Sequence, residues 1–169
     1  YWPRLLNLQL AAMQRCGEAL WLTPSANVTG GSVSNIFTSK GGTLFTPVAQ
    51  GEEDINDEPS ATLAGITRSA IIEIADELGI GTNKTTHTVD DILSADEVFL
   101  TNSSWGVLPV IGLRVSVQSE DGGDNQEQPV ADGTVGKLTS QLNASYQEMV
   151  ERETCCFGFD VTVTPSESA

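Results

Sequence analysis

The sequence has little positive charge: 8 lysine and arginine side chains stand against 23 aspartates and glutamates, a formal net charge of −15 over 169 residues. Nucleic acid phosphates and anionic membrane surfaces would repel such a chain, so neither is expected as a partner. Histidine is nearly absent, with His87 the single example, and the three cysteines are Cys16 and the adjacent Cys155 and Cys156. One histidine and three badly spaced thiols cannot build a zinc shell, and without a CxxC spacing free thiols in a reducing compartment are expected. No apolar run approaches the roughly 18 residues of a membrane span, and the first residues lack the regions of a signal peptide, so a cytoplasmic location is expected by default. The sequons at Asn27, Asn83, Asn102 and Asn143 would matter only in a secreted chain.

Familiar catalytic signatures are missing as well. His87 sits in the polar stretch NKTTHT, where no Ser-His-Asp or Cys-His system can be assembled around it. Gly133-Thr134-Val135-Gly136-Lys137 is followed by Leu138 and lacks P-loop spacing. The acidic runs 52–58 and 120–127 do not follow the order of a calcium loop, and both are expected to be solvated loops.

What is present suits one mixed α/β unit. Hydrophobic residues make up 39% of the chain, enough to bury a core at this length. Leu6, Leu10 and Met13 fall at helical spacing within an amphipathic helix over 4–16. Residues 18–23 (EALWLT) then suggest a buried strand, 24–27 a turn, and 32–38 with 43–46 a hairpin across Gly41-Gly42. Ile71, Ile74, Ala75 and Leu78 form the stripe of the clearest helix, stopped by Gly79. Thr88 and Asp91 make a capping box for a short helix, 97–101 (EVFLT) and 107–115 suggest strands, and Leu138, Leu142, Tyr146 and Met149 mark a last helix. The tail from Cys155 has no assigned structure.

Glycine and hydroxyl residues gather at element ends: Ser32 to Asn35, Gly65-Ile66-Thr67, and Thr101-Asn102-Ser103-Ser104. A helix opening at Gly65-Ile66-Thr67 offers unpaired N–H groups and the positive end of its dipole, a seat for a phosphate to which Ser103 could add a hydroxyl. The plainer alternative is that Thr67 is a helix cap and 101–104 an ordinary turn, which local pattern alone favours.

The segments EALWL, VTGGSVSNIF, GGTLFTP, AGITRSAIIEIADELGI, SADEVFLTNSSWGVLPV and GTVGKLTSQL, in this order, resemble the C-terminal half of class IV, pyridoxal-phosphate-dependent aminotransferases. The resemblance runs from about Arg4 to Arg152 and implies a mixed α/β fold, a largely antiparallel sheet packed with helices. It divides the chain into a cofactor-binding domain over 1–152 and a tail over 153–169. AGITR and ADEVFLTNS are most similar to aminodeoxychorismate lyases, which implies release of pyruvate and 4-aminobenzoate. Branched-chain or D-amino acid aminotransferases are the alternative.

The resemblance places Gly65, Ile66, Thr67 and Ser103 around the phosphate of pyridoxal 5'-phosphate, with Asn35 beside them. It implies an amino acid or aminodeoxychorismate-like substrate and a homodimer. The chain departs from the family twice. The glutamate that pairs with the pyridine nitrogen corresponds to Gly30, so that Gly30→Glu is expected to tighten cofactor binding in an active enzyme. The lysine that carries the cofactor would fall at about Tyr1 or before it, where no lysine stands, while Lys40, Lys84 and Lys137 are expected at the surface. Arg4 and Arg68 are not assumed to replace the phosphate-binding arginine that the family's N-terminal domain lends. A third reading is therefore a noncatalytic homologue.

Overall fold

The computed structural model describes residues 2–55, 59–117 and 124–155. Helix α1 (Trp2–Met13) is followed by β1 (Leu20–Leu22) and β2 (Val28–Gly31), an antiparallel pair, and then by β3 (Asn35–Lys40) and β4 (Thr43–Thr46). Gly41 and Gly42 join β3 to β4 with φ of 58° and 79°, the two positive values that a tight hairpin turn requires. Helix α2 (Ile66–Glu77), β5 (Thr82–Lys84), the short α3 (Val89–Leu93), β6 (Glu97–Asn102) and β7 (Gly106–Val110) come next, then the ribbon β8 (Gly112–Val117) and β9 (Asp124–Pro129), and α4 (Lys137–Cys155). The central sheet has the order β5-β4-β3-β6-β7. Only β4 and β5 run parallel in it, so the mixed, largely antiparallel α/β architecture expected from the sequence is present.

Alternation along the two middle strands builds a core on each face. Phe37 faces Phe99 across the β3–β6 ladder, their rings stacked at 5.0 Å, and meets Ile71, Ile74 and Ala75 of α2 and Leu142 of α4. On the opposite face Ile36, Val98 and Leu100 pack with Val28, Ile92, Ala95 and Val130. Two distant carboxylates fasten elements to this sheet. Glu97 accepts the N–H groups of Leu138 (3.0 Å) and Thr139 (2.7 Å) at the start of α4, filling donors that a helix cannot satisfy itself. Arg68 of α2, fully buried, is held by Glu52 at 2.8 Å, with Lys84 at 2.7 Å from the same carboxylate.

Several expectations are corrected here. The stripe Leu6, Leu10 and Met13 suits a core-facing helix, yet α1 buries none of its residues and these three are 52%, 47% and 81% exposed. The strand expected over 18–23 shrinks to Leu20–Leu22 and is not buried, because only β2 pairs with it. The acidic run 52–58 is more than a solvated loop: Glu52 closes the Arg68 pair, and Glu53 accepts N–H groups of Gly51 and Ser60, while 56–58 lie outside the described residues. The second run contributes Asp124 to Glu127 to β9. The strand expected over 107–115 breaks at Ile111, where the chain leaves the central sheet for the ribbon. His87 is 2% exposed, not in an open polar loop, because its backbone bridges Val28 and its ring reaches Thr38 Oγ1 at 3.0 Å. Cys155 ends α4, and the tail from 156 lies outside the described residues.

Candidate functional site

A cleft of about 440 Å³ opens where β2, β3 and β6 end beside the start of α2. The β3–β6 register sets Asn35 opposite Thr101, so two strand ends deliver polar side chains to one place, and Asn102 and Ser103 continue the same wall. Asn35 Nδ2 donates to Leu63 O at 2.7 Å, which draws the segment before α2 against the sheet. Gly65 stands so close that a Cβ there would overlap the Asn35 amide oxygen.

Gly65 is the N-cap of α2 and brings no side chain to it. The first N–H groups of the helix have no intrahelical acceptor, and Ile66 and Thr67 border the cleft. Ile66 is 84% exposed and Thr67 2%, the latter with its hydroxyl 3.5 Å from Tyr146 Oη of α4. Ser103 is exposed and borders the cleft. Thr101 is 1% exposed, borders the cleft, and its Oγ1 has no hydrogen-bond partner among the described residues.

The opposite wall is the turn over 32–34, and a carboxylate holds it. Glu18 Oε1 accepts Ser32 N–H at 3.0 Å, and Oε2 accepts Val33 N–H at 3.3 Å and the Ser34 hydroxyl at 3.0 Å. Trp21 Nε1 donates to Ser32 Oγ at 3.1 Å. Asn102 Nδ2 reaches Val33 O at 3.3 Å and ties this turn to β6.

Asn35, Gly65, Ile66, Thr67 and Ser103 thus border one cavity, and Gly30 is not part of its lining. Gly30 has φ +134°, and a Cβ there would stand 2.6 Å from Ser34 O. The local shape is therefore one that a side chain at position 30 does not enter without a backbone shift. Arg68 is absorbed by Glu52 away from the cleft, whereas Arg4 borders it. Glu18 and Trp21 were legible only as strand residues, since a carboxylate that serves a turn fourteen positions later leaves no local pattern. Lys40, Lys84 and Lys137 are exposed, as expected. His87 lines a second cavity, of about 230 Å³, with Thr38 and Asp91. Among the described residues no group of three metal-ligating side chains exists, and no helix is long and apolar enough to cross a membrane.

The chain is 37% identical over 124 residues to D-alanine aminotransferase of Staphylococcus aureus strain COL, covering 73% of this chain and 36% of that protein. It is 31% identical over 154 residues to the branched-chain-amino-acid aminotransferase of Pseudomonas aeruginosa, covering 91% and 43%. It therefore spans well under half the length of these relatives. Among solved structures, the branched-chain amino acid aminotransferase from Escherichia coli superposes with a TM-score of 0.67 at 29% identity, over 86% of this chain and 42% of that one. An aminotransferase from Brucella abortus bound to the co-factor PLP gives 0.65 at 29% identity, over 85% and 43%. The family model for amino-transferase class IV matches residues 1–113, so the chain belongs to the class IV aminotransferase family.

Proposed function

We propose that this cleft is the phosphate-holding part of a pyridoxal 5'-phosphate site in an enzyme acting on an amino acid. The observation that carries the reading is the convergence of an uncapped helix start with Asn35, Thr101 and the exposed Ser103 on one cavity. A phosphate fits that donor set. Backbone N–H groups of Ile66 and Thr67 would hold it along the helix dipole, and the hydroxyl side chains of Thr101 and Ser103 would add donors from the sheet side. Asn35 and Glu18 act as positioning residues, the first setting the approach of α2 and the second the turn over 32–34. When bound, the group supplies an electron-withdrawing ring for chemistry at the α-carbon of an amino acid.

Amino-group transfer is the first reading of the reaction, supported by relatives named D-alanine and branched-chain aminotransferases. Release of pyruvate and 4-aminobenzoate, as in aminodeoxychorismate lyases, is a second reading that rests on AGITR and ADEVFLTNS. A noncatalytic homologue is favoured by one observation, the glycine-specific backbone at position 30. A homodimer in the cytoplasm is proposed with either enzyme reading.

Calorimetric titration of the chain with pyridoxine 5'-phosphate, which lacks the aldehyde that reacts with surface lysines, tests the site. Saturable binding that weakens about tenfold in Thr101→Val and Ser103→Ala together is expected for lost hydrogen bonds to a charged group. Binding unchanged by both substitutions would remove the cleft from the reading.

A further inference from the structure

The cleft lining carries a basic side chain in an acidic chain. Among the described residues its lining contains one ionisable side chain, Arg4, and no carboxylate, although the whole chain carries a net charge of −15. The neighbouring carboxylate, Glu18, is engaged by three donors of the turn over 32–34, so a guanidinium on the lining suits the cavity to an anion.

Arg4 lies in the first turn of α1, partly buried, with its guanidinium carbon 5.2 Å from the centroid of the Trp21 ring. Trp21 is itself fixed by its hydrogen bond to Ser32 Oγ, another residue of the cleft wall. A guanidinium resting on an aromatic face is held in place while its N–H donors, which lie in the guanidinium plane, stay available. Among the described residues no carboxylate forms an ion pair with it. Thr101 and Ser103 border the same cavity and bring hydroxyl side chains to its lining.

We propose that Arg4 is a ligand-holding residue, its guanidinium taking an oxyanion of the molecule that occupies the cleft, either a phosphate ester or a carboxylate. The inference rests on the reading of the cleft as a cofactor site and adds to it a cation supplied by this chain. Neutral donors alone leave a partly buried anion without a counter-charge, whereas the planar fork of an arginine matches either oxyanion through paired hydrogen bonds. Trp21 acts through Arg4, as a positioning residue.

The experiment titrates the full chain and its Arg4→Gln and Arg4→Lys variants with pyridoxine 5'-phosphate, with pyridoxine, and with pyruvate added to the phosphate-ester-loaded chain. Calorimetry reads affinity, and circular dichroism checks that each variant is folded. If Arg4 meets the phosphate, Arg4→Gln weakens pyridoxine 5'-phosphate about tenfold and leaves pyridoxine unchanged, with Arg4→Lys in between. If it meets a carboxylate, the ester binds as in the wild type and the loss appears for pyruvate. Both results support the proposal and name the oxyanion. A folded Arg4→Gln chain that binds all three probes like the wild type overturns it while leaving the cofactor reading intact. A wild-type chain that binds neither the ester nor pyridoxine overturns both.

Discussion

At Gly30 the backbone occupies φ +134°, and a Cβ would press on the Ser34 carbonyl at 2.6 Å. Gly30→Ala is therefore expected to destabilise the chain by about 1–3 kcal/mol, as a side chain forced into a glycine-only conformation does; urea unfolding at neutral pH measures it. Gly30→Glu carries the same backbone cost, so any tighter cofactor binding has to be judged beside its unfolding midpoint. Two further residues contribute to the response to acid. Burial pushes the Glu52 carboxyl up, but hydrogen bonds from Arg68, Lys84 and the Ala49 N–H outweigh it and bring the pKa from 4.5 down to about 2. A lowered folded pKa means that this contribution is complete above about 4.5 and lost as pH falls toward 2. Burial lowers the His87 pKa below 6.5, opposed in part by the Thr85 carbonyl and the Asp91 charge. The unfolded chain then takes the proton first, and stability begins to fall as pH drops below 6.5. Unfolding midpoints between pH 8 and pH 3 should show both losses. His87→Gln removes the earlier one. Glu52→Gln reduces the later one but lowers the neutral plateau by about 3 kcal/mol, since Arg68 stays buried without its counter-charge.

Among the elements, α4 depends on a carboxylate from another strand. Glu97 of β6 caps it, and a Cβ at Gly136 would overlap that carboxyl group. Glu97→Ala should cost about 1 kcal/mol, the usual worth of a lost N-cap, read as a drop in the thermal midpoint with the overall fold kept. The same element scale shows what the sequence could and could not disclose. Periodicity located α2 and α4, and Thr88 with Asp91 announced α3, because those signals are local. The Gly41-Gly42 turn was legible for the same reason. The three-residue β5 was not, since its parallel pairing with β4 lies across α2 and NK in a polar run carries no strand pattern. Nor was β9, whose acidic composition resembles a loop and whose partner β8 supplies the order. At the cleft, Gly65, Ile66, Thr67, Asn35 and Ser103 could be named from motifs, whereas Glu18, Trp21 and Arg4 reach it only through tertiary contacts.

For the molecule as a whole, the uncovered stripe of α1 is the largest departure from an amphipathic pattern. Trp2, at 78% exposure, joins Leu6, Leu10 and Met13 on a helix that buries nothing. Leu6→Gln and Leu10→Gln should each change unfolding stability by no more than about 0.5 kcal/mol, as exposed substitutions do, while reducing binding of a hydrophobic dye. A loss above about 2 kcal/mol in either variant would mean that the stripe is packed in solution.

The ladder that sets Asn35 against Thr101 has a kinetic meaning. A long span of chain, with α2 and α3 inside it, separates these two strand ends of the cleft, and the entropy of closing that span has to be met before their contact contributes. Binding competence is therefore expected late in folding and not in an early local unit. A bound anion acts on the native state alone, so it should slow unfolding while leaving the rate of folding almost untouched.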